Sequence, residues 1–141
     1  MPRSAVDEEL IEAARRLMRI SLAAAARIGG VSVVQMRALT VLDHRGQANL
    51  GELAEDLGVT ASTTSRLVDR LATADLVDRR VAERSRREVS LQLTAHGRAT
   101  LERYDDLRLA FLHELLEGMP DGQRGTAVRG LRAFGAAVDP A

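Results

Sequence analysis

Arginine supplies most of the chemistry open to this chain. All twenty basic residues are arginine, so neither a Schiff-base lysine nor a phosphate-loop lysine is available. There is no cysteine, which removes thiolate zinc sites, cysteine nucleophiles, disulfides and a thiol-oxidation switch. Within residues 79–87, Arg79, Arg80, Arg84, Arg86 and Arg87 face only Glu83, a local charge of +4. Such a run is either a solvated surface or a place where phosphates are met. The three histidines make no ligand set: His44 closes a helical segment, His96 follows Thr94 by two, and His113 neighbours Glu114 and Glu117. No zinc-binding spacing occurs, and Ser62 and Ser65 lack the Gly-x-Ser-x-Gly or Ser-x-x-Lys setting of a catalytic serine. We therefore expect no enzyme, no metal centre and no cofactor.

A second polar set is defined by period. From Ala61 on, Thr64, Leu67, Val68 and Leu71 recur at i, i+3, i+4 and i+7, the stripe of a helix packed on a core. Their burial puts Ser62, Thr63, Arg66 and Arg70 on the opposite face. Arginine can donate two hydrogen bonds to a guanine edge, and hydroxyls can reach bases or phosphates. The bland alternative is a soluble face on which Asp69 pairs with Arg66 or Arg70. Just upstream, Gly51 to Gly58 makes barely two helical turns, with Leu53, Ala54 and Leu57 on one side. Gly58 suits the left-handed position that ends a helix, and Thr60 suits the cap of the next. Small Ala54 lets the two cross closely. A short helix, a tight turn and a second helix form a helix-turn-helix, whose second helix enters the DNA major groove.

The flanking elements must hold that helix. Val77, Arg79 and Val81 alternate with Asp78 and Arg80, and Val89 to Leu93 alternates again, which predicts a β-hairpin. Its tip, about Ala82 to Arg87, carries the arginines, and arginine is well suited to a narrow minor groove. Helical stripes run over 7–28 (Leu10, Leu17, Met18, Leu22), over 33–43 (Met36, Leu39, Leu42), from Thr94 to about Glu117 (Leu101, Tyr104, Leu107, Phe111, Leu115) and over 121–137 (Ala127, Val128, Leu131, Phe134). At 141 residues, 45% hydrophobic and 28% charged, the chain has the balance of one globular domain. Tyr104, Phe111 and Phe134 lie far from the basic stretch, which disfavours stacking on single strands. No apolar run reaches membrane length, and the first twelve residues turn acidic where a secretory leader is apolar. A cytoplasmic location without a membrane is expected.

Four stretches together resemble the MarR family of bacterial winged helix-turn-helix regulators. They are Leu50 to Val59, Ser62 to Leu71, Leu76 to Arg79, and Leu91 to Arg98. The resemblance implies a mainly α fold with a small β-hairpin wing: a DNA-binding lobe over 33–93 with its recognition helix about 61–74, a connecting helix over 94–117, and a dimerisation region from 1–32 and 118–141. It implies a homodimeric regulator, most simply a repressor, on a palindromic double-stranded operator. A small aromatic anionic ligand between the lobe and the dimerisation helices is a further implication. Ser62, Thr63, Arg66 and Arg70 match the major-groove helix, Arg87 matches the wing arginine that enters the minor groove, and Arg84 and Arg86 fall at phosphate-contact positions. Two departures stand out: Ser85 where the family commonly has aspartate, and Asp75 where it usually has glycine. The alternative function is a winged-helix protein-interaction module that turns its arginine tip toward an acidic partner.

Overall fold

The computed structural model describes residues 2–81 and 89–138. Six helices and one hairpin follow in the order α1 (Ala5–Ile28), α2 (Val33–Arg45), α3 (Leu50–Leu57), α4 (Ala61–Thr73), β1 (Val77–Val81), β2 (Val89–Leu93), α5 (Ala95–Glu117) and α6 (Asp121–Val138). The arrangement is mainly α with a two-stranded antiparallel sheet, as the periods predict.

Most helix starts are set by side-chain caps. Ser4, Ser32, Asn49, Thr60 and Thr94 each accept a hydrogen bond from the backbone N–H three residues on, satisfying a donor the helix cannot. The cap at Ser4 starts α1 at Ala5 rather than at residue 7. At the other end α2 continues two residues past the predicted 43, to Arg45.

The core lies in the lobe formed by α2, α3, α4 and the hairpin. Met36, Leu39, Leu42, Leu53, Val68, Leu71, Leu76 and Leu91 are sealed from solvent, and Ala24 and Ala25 of α1 with Leu101 and Tyr104 of α5 close its back. Outside this lobe the predicted stripes behave differently. Leu10, Leu17, Met18 and Leu22 on α1, Leu115 on α5, and Val128, Leu131 and Phe134 on α6 are all exposed in the single chain. Among the described residues no single helix is long and apolar enough to cross a membrane.

The hairpin is pinned on two sides. Val77 pairs with Leu93 and Val81 with Val89, and Ala48, in the α2–α3 connection, bridges Leu91 through two backbone hydrogen bonds of 3.1 and 2.7 Å. Gln47 Oε1 reinforces this edge by accepting from Gln92 Nε2 at 3.0 Å and Ser90 Oγ at 3.3 Å. On the other side, Asp75 takes a left-handed φ of 57°, a conformation aspartate tolerates better than most residues. The Thr94 hydroxyl donates to the Asp75 carbonyl at 2.5 Å and the Thr94 N–H to the Leu76 carbonyl at 3.2 Å.

Gly97 is the tightest point of this join. A Cβ there would stand 2.0 Å from the Leu76 carbonyl oxygen, so the first turn of α5 lies directly on the start of β1. Gly97→Ala should lower stability by more than about 2 kcal/mol, because backbone must move on both sides. Gly122→Ala on α6, which meets nothing within 4 Å, should instead be neutral or gain about 0.5–1 kcal/mol. Urea unfolding midpoints separate the two; equal midpoints would mean that α5 and β1 are free to part.

Candidate nucleic-acid interface

The turn before α4 is built from local hydrogen bonds. Gly58 ends α3 in the left-handed region, φ 67° and ψ 31°, and its N–H reaches the carbonyls of Ala54 and Glu55. Val59 N–H returns to the Ala54 carbonyl at 3.2 Å, leaving Thr60 extended as the cap of α4. Thr60 Oγ1 accepts from Thr63 N–H at 3.2 Å and donates to Thr63 Oγ1 at 2.9 Å. Thr64 is wholly buried, yet its hydroxyl donates to the Thr60 carbonyl at 2.9 Å, so its own burial leaves no hydroxyl unsatisfied.

Burial of Thr64, Leu67, Val68 and Leu71 sets the orientation of everything else on α4. Ser62, Thr63, Arg66, Asp69 and Arg70 are exposed. Asp69 does not pair with Arg66 or Arg70, as it would on a merely soluble face. Its carboxylate takes the Arg79 guanidinium of β1, which ties α4 to the hairpin. Arg80 is occupied too, donating to Asp78 at 2.9 Å. Thus the two arginines of β1 are neutralised, whereas Arg66 and Arg70 enter no ion pair among the described residues. Arg84, Arg86 and Arg87 lie outside the described residues.

A groove of about 310 Å³ runs beside this face, between α4 and the start of α2. Thr63, Arg66 and Arg70 form one wall, and Ser32, Val34 and Gln35 the other. The contribution of α2 was not read from the sequence, although the Ser-x-x-Gln spacing of a capping box was there to be seen. No group of three or more metal-binding side chains occurs among the described residues.

One ion pair braces the lobe beneath the interface. Arg45, the last residue of α2, donates to both carboxylate oxygens of Asp56 on α3 at 2.5 and 3.1 Å, and Arg37 reaches the Asp56 carbonyl at 3.4 Å. The Arg45 hydrogen bond holds the Asp56 carboxyl below its ordinary 3.8. A depressed carboxyl adds stability that is present above its unfolded value and lost as pH falls through the folded one. The stability advantage of the native protein over Asp56→Asn should therefore be constant above about pH 5 and shrink in more acid solution. An advantage unchanged down to acid unfolding would mean that the pair contributes nothing as an ion pair.

A short helix, a glycine-ended turn, a second helix with an exposed arginine face and a following antiparallel hairpin define a winged helix-turn-helix. The MarR family model matches residues 31–89, which span α2 through the start of β2. The "uncharacterized HTH-type transcriptional regulator YfiV" of Bacillus subtilis is 35% identical over 68 residues, covering 48% of this chain and 42% of that protein. The "HTH-type transcriptional repressor YetL" of the same organism is 31% identical over 87 residues, covering 62% of this chain and 51% of YetL. The matches thus take in about half the length of these curated relatives. Among solved structures, RV1404 from Mycobacterium tuberculosis superposes with a TM-score of 0.84 at 35% identity over 97% of both chains. A MarR mutant from E. coli complexed with operator DNA shares the fold, with a TM-score of 0.67 at 22% identity over 90% of this chain and 91% of that one. The chain belongs to the MarR family, whose members are transcriptional regulators and not enzymes.

Proposed function

We propose that this chain is a sequence-specific, homodimeric DNA-binding repressor. The observation that carries the reading is the division of α4 into a buried stripe and an exposed face on which Arg66 and Arg70 stand unpaired among the described residues. On this reading Ser62, Thr63, Arg66 and Arg70 read base edges in the major groove, and Arg84, Arg86 and Arg87 meet the backbone and minor groove from the wing. Repression is the reading that YetL's name favours, and the operator complex of the E. coli neighbour favours duplex DNA as the partner.

Exposed apolar surface supports the dimer. The exposed Leu10, Leu17, Met18 and Leu22 of α1 and Leu131 and Phe134 of α6 form stripes that a second copy would bury. Residues 1–32 and 118–141 then make the dimerisation region, α5 connects it to the lobe, and 33–93 is the DNA-binding lobe. Two such lobes can meet half-sites one helical turn apart, which is why the operator would be palindromic. In sedimentation the native protein should run as a dimer of 15.3 kDa chains, and Leu131→Asp with Phe134→Asp should run as a monomer. A native monomer at micromolar concentration would remove the dimer from the account.

A cleft of about 420 Å³ lies where the α1–α2 connection, the α4–β1 turn and α5 converge, with Arg103, His96 and Thr100 beside Ile28, Val31 and Leu76. Its size and its guanidinium suit a small aromatic anion. Such a ligand would relieve repression by favouring a lobe spacing that no longer matches successive grooves.

Gel shifts at roughly 150 mM salt, on the promoter region of the protein's own gene and on duplexes selected from a random library, test the function. We expect a discrete complex that survives excess unrelated DNA. Arg66→Gln and Arg70→Gln should each cost about 1–3 kcal/mol in discrimination, whereas Arg84→Gln should weaken all duplexes alike. Failure to select any sequence would favour the protein-interaction alternative.

A further inference from the structure

Three of the described helices begin with the same reciprocal cap, and the odd one out faces the groove. In α1 the returning side chain is Asp7, which accepts from Ser4 N–H at 2.8 Å; in α3 it is Glu52, which accepts from Asn49 N–H at 2.9 Å. In α2 it is Gln35, whose Oε1 accepts from Ser32 N–H at 2.7 Å while Ser32 Oγ accepts from Gln35 N–H at 3.1 Å. A carboxylate performs this cap equally well. The amide differs in its other end: with Oε1 committed to Ser32, the Nε2 group keeps two hydrogens to donate. Gln35 is half-buried and lines the groove with Thr63, Arg66 and Arg70, and among the described residues its Nε2 has no protein partner. A carboxylate at this position would bring a negative charge beside two arginines and repel a phosphate.

We propose that Gln35 is a DNA-contact residue outside both the recognition helix and the wing, its Nε2 donating to a backbone phosphate that enters the groove beside Arg66 and Arg70. The capping bond to Ser32 positions this donor, so α2 helps seat α4 on the duplex. The inference rests on the DNA-binding function proposed above. A backbone contact carries no base information, so Gln35 adds affinity and register and leaves sequence choice to Arg66 and Arg70.

The test uses the full chain and two variants on two probes: a duplex enriched by the native protein from a random library, and a mixed-sequence duplex of equal length. Gln35→Glu keeps the cap acceptor and removes the donor. It should melt with the native protein and bind both probes at least about tenfold more weakly. Gln35→Met removes the donor without adding charge, and it too should bind both probes more weakly than native when assayed well below its own melting midpoint. Native-like affinity of Gln35→Met would show that the loss in Gln35→Glu is charge repulsion alone and would overturn the contact. Native-like affinity of Gln35→Glu would overturn it as well. If the native protein enriches no sequence, the function it rests on has failed; if the native protein does and the variants match it, only this contact has.

Discussion

The face that α4 buries decides what the rest of this chain can do. Thr64, Leu67, Val68 and Leu71 are nearly or fully removed from water, and burying such side chains is worth on the order of 1.5–3 kcal/mol each for the aliphatic ones. Rotating the helix to present any of them would forfeit that energy, so Ser62, Arg66 and Arg70 are held outward by hydrophobic packing on the other side of the same helix. Thr64 shows how closely local chemistry serves this packing, since its hydroxyl is satisfied within its own turn. The cost of placing a polar residue in the core is thereby offset.

Around that helix the joins are short and stiff. Gly58 and Thr60 set its entry, Asp69 and Arg79 tie it to the hairpin, and Gly97 against Leu76 presses α5 onto the lobe. Exposed ion pairs contribute little to stability, so the value of the Asp69–Arg79 pair lies in where it leaves the charges. Arg79 and Arg80 of β1 are neutralised, and Arg66 and Arg70 of α4 enter no ion pair among the described residues. The lobe and the first turn of α5 therefore form one unit, while the apolar stripes of α1 and α6 face outward.

Much of this was legible in the amino-acid pattern, because the signals are local. Gly58 after Leu57, Thr60 before Ala61 and the two alternating runs around the arginine cluster each follow from a single rule of backbone or period. Asp75, where the family usually has glycine, takes the left-handed turn itself, at φ 57°. What could not be read depended on contacts between distant segments. The choice of Arg79 rather than Arg66 as partner of Asp69, the bridge between Ala48 and Leu91 and the clamp of Arg45 on Asp56 span ten or more residues. Periodicity carries no information about them. The stripes on α1 and α6 were equally visible whether a helix packs on its own chain or on another, and in the single chain those residues are exposed. Gln35 was missed for a different reason: its capping pattern is local and readable, but its position beside Arg66 and Arg70 needs the packed lobe.

On the proposed function, two copies of this lobe present their α4 helices to successive major grooves of one DNA face. Hydroxyl-radical footprinting of the full chain on a duplex that it has enriched from a random library tests this most directly. Two symmetric protected patches centred one helical turn apart, roughly 34–36 Å, are expected. A single protected patch, or uniform protection with no two-fold pattern, would contradict this arrangement.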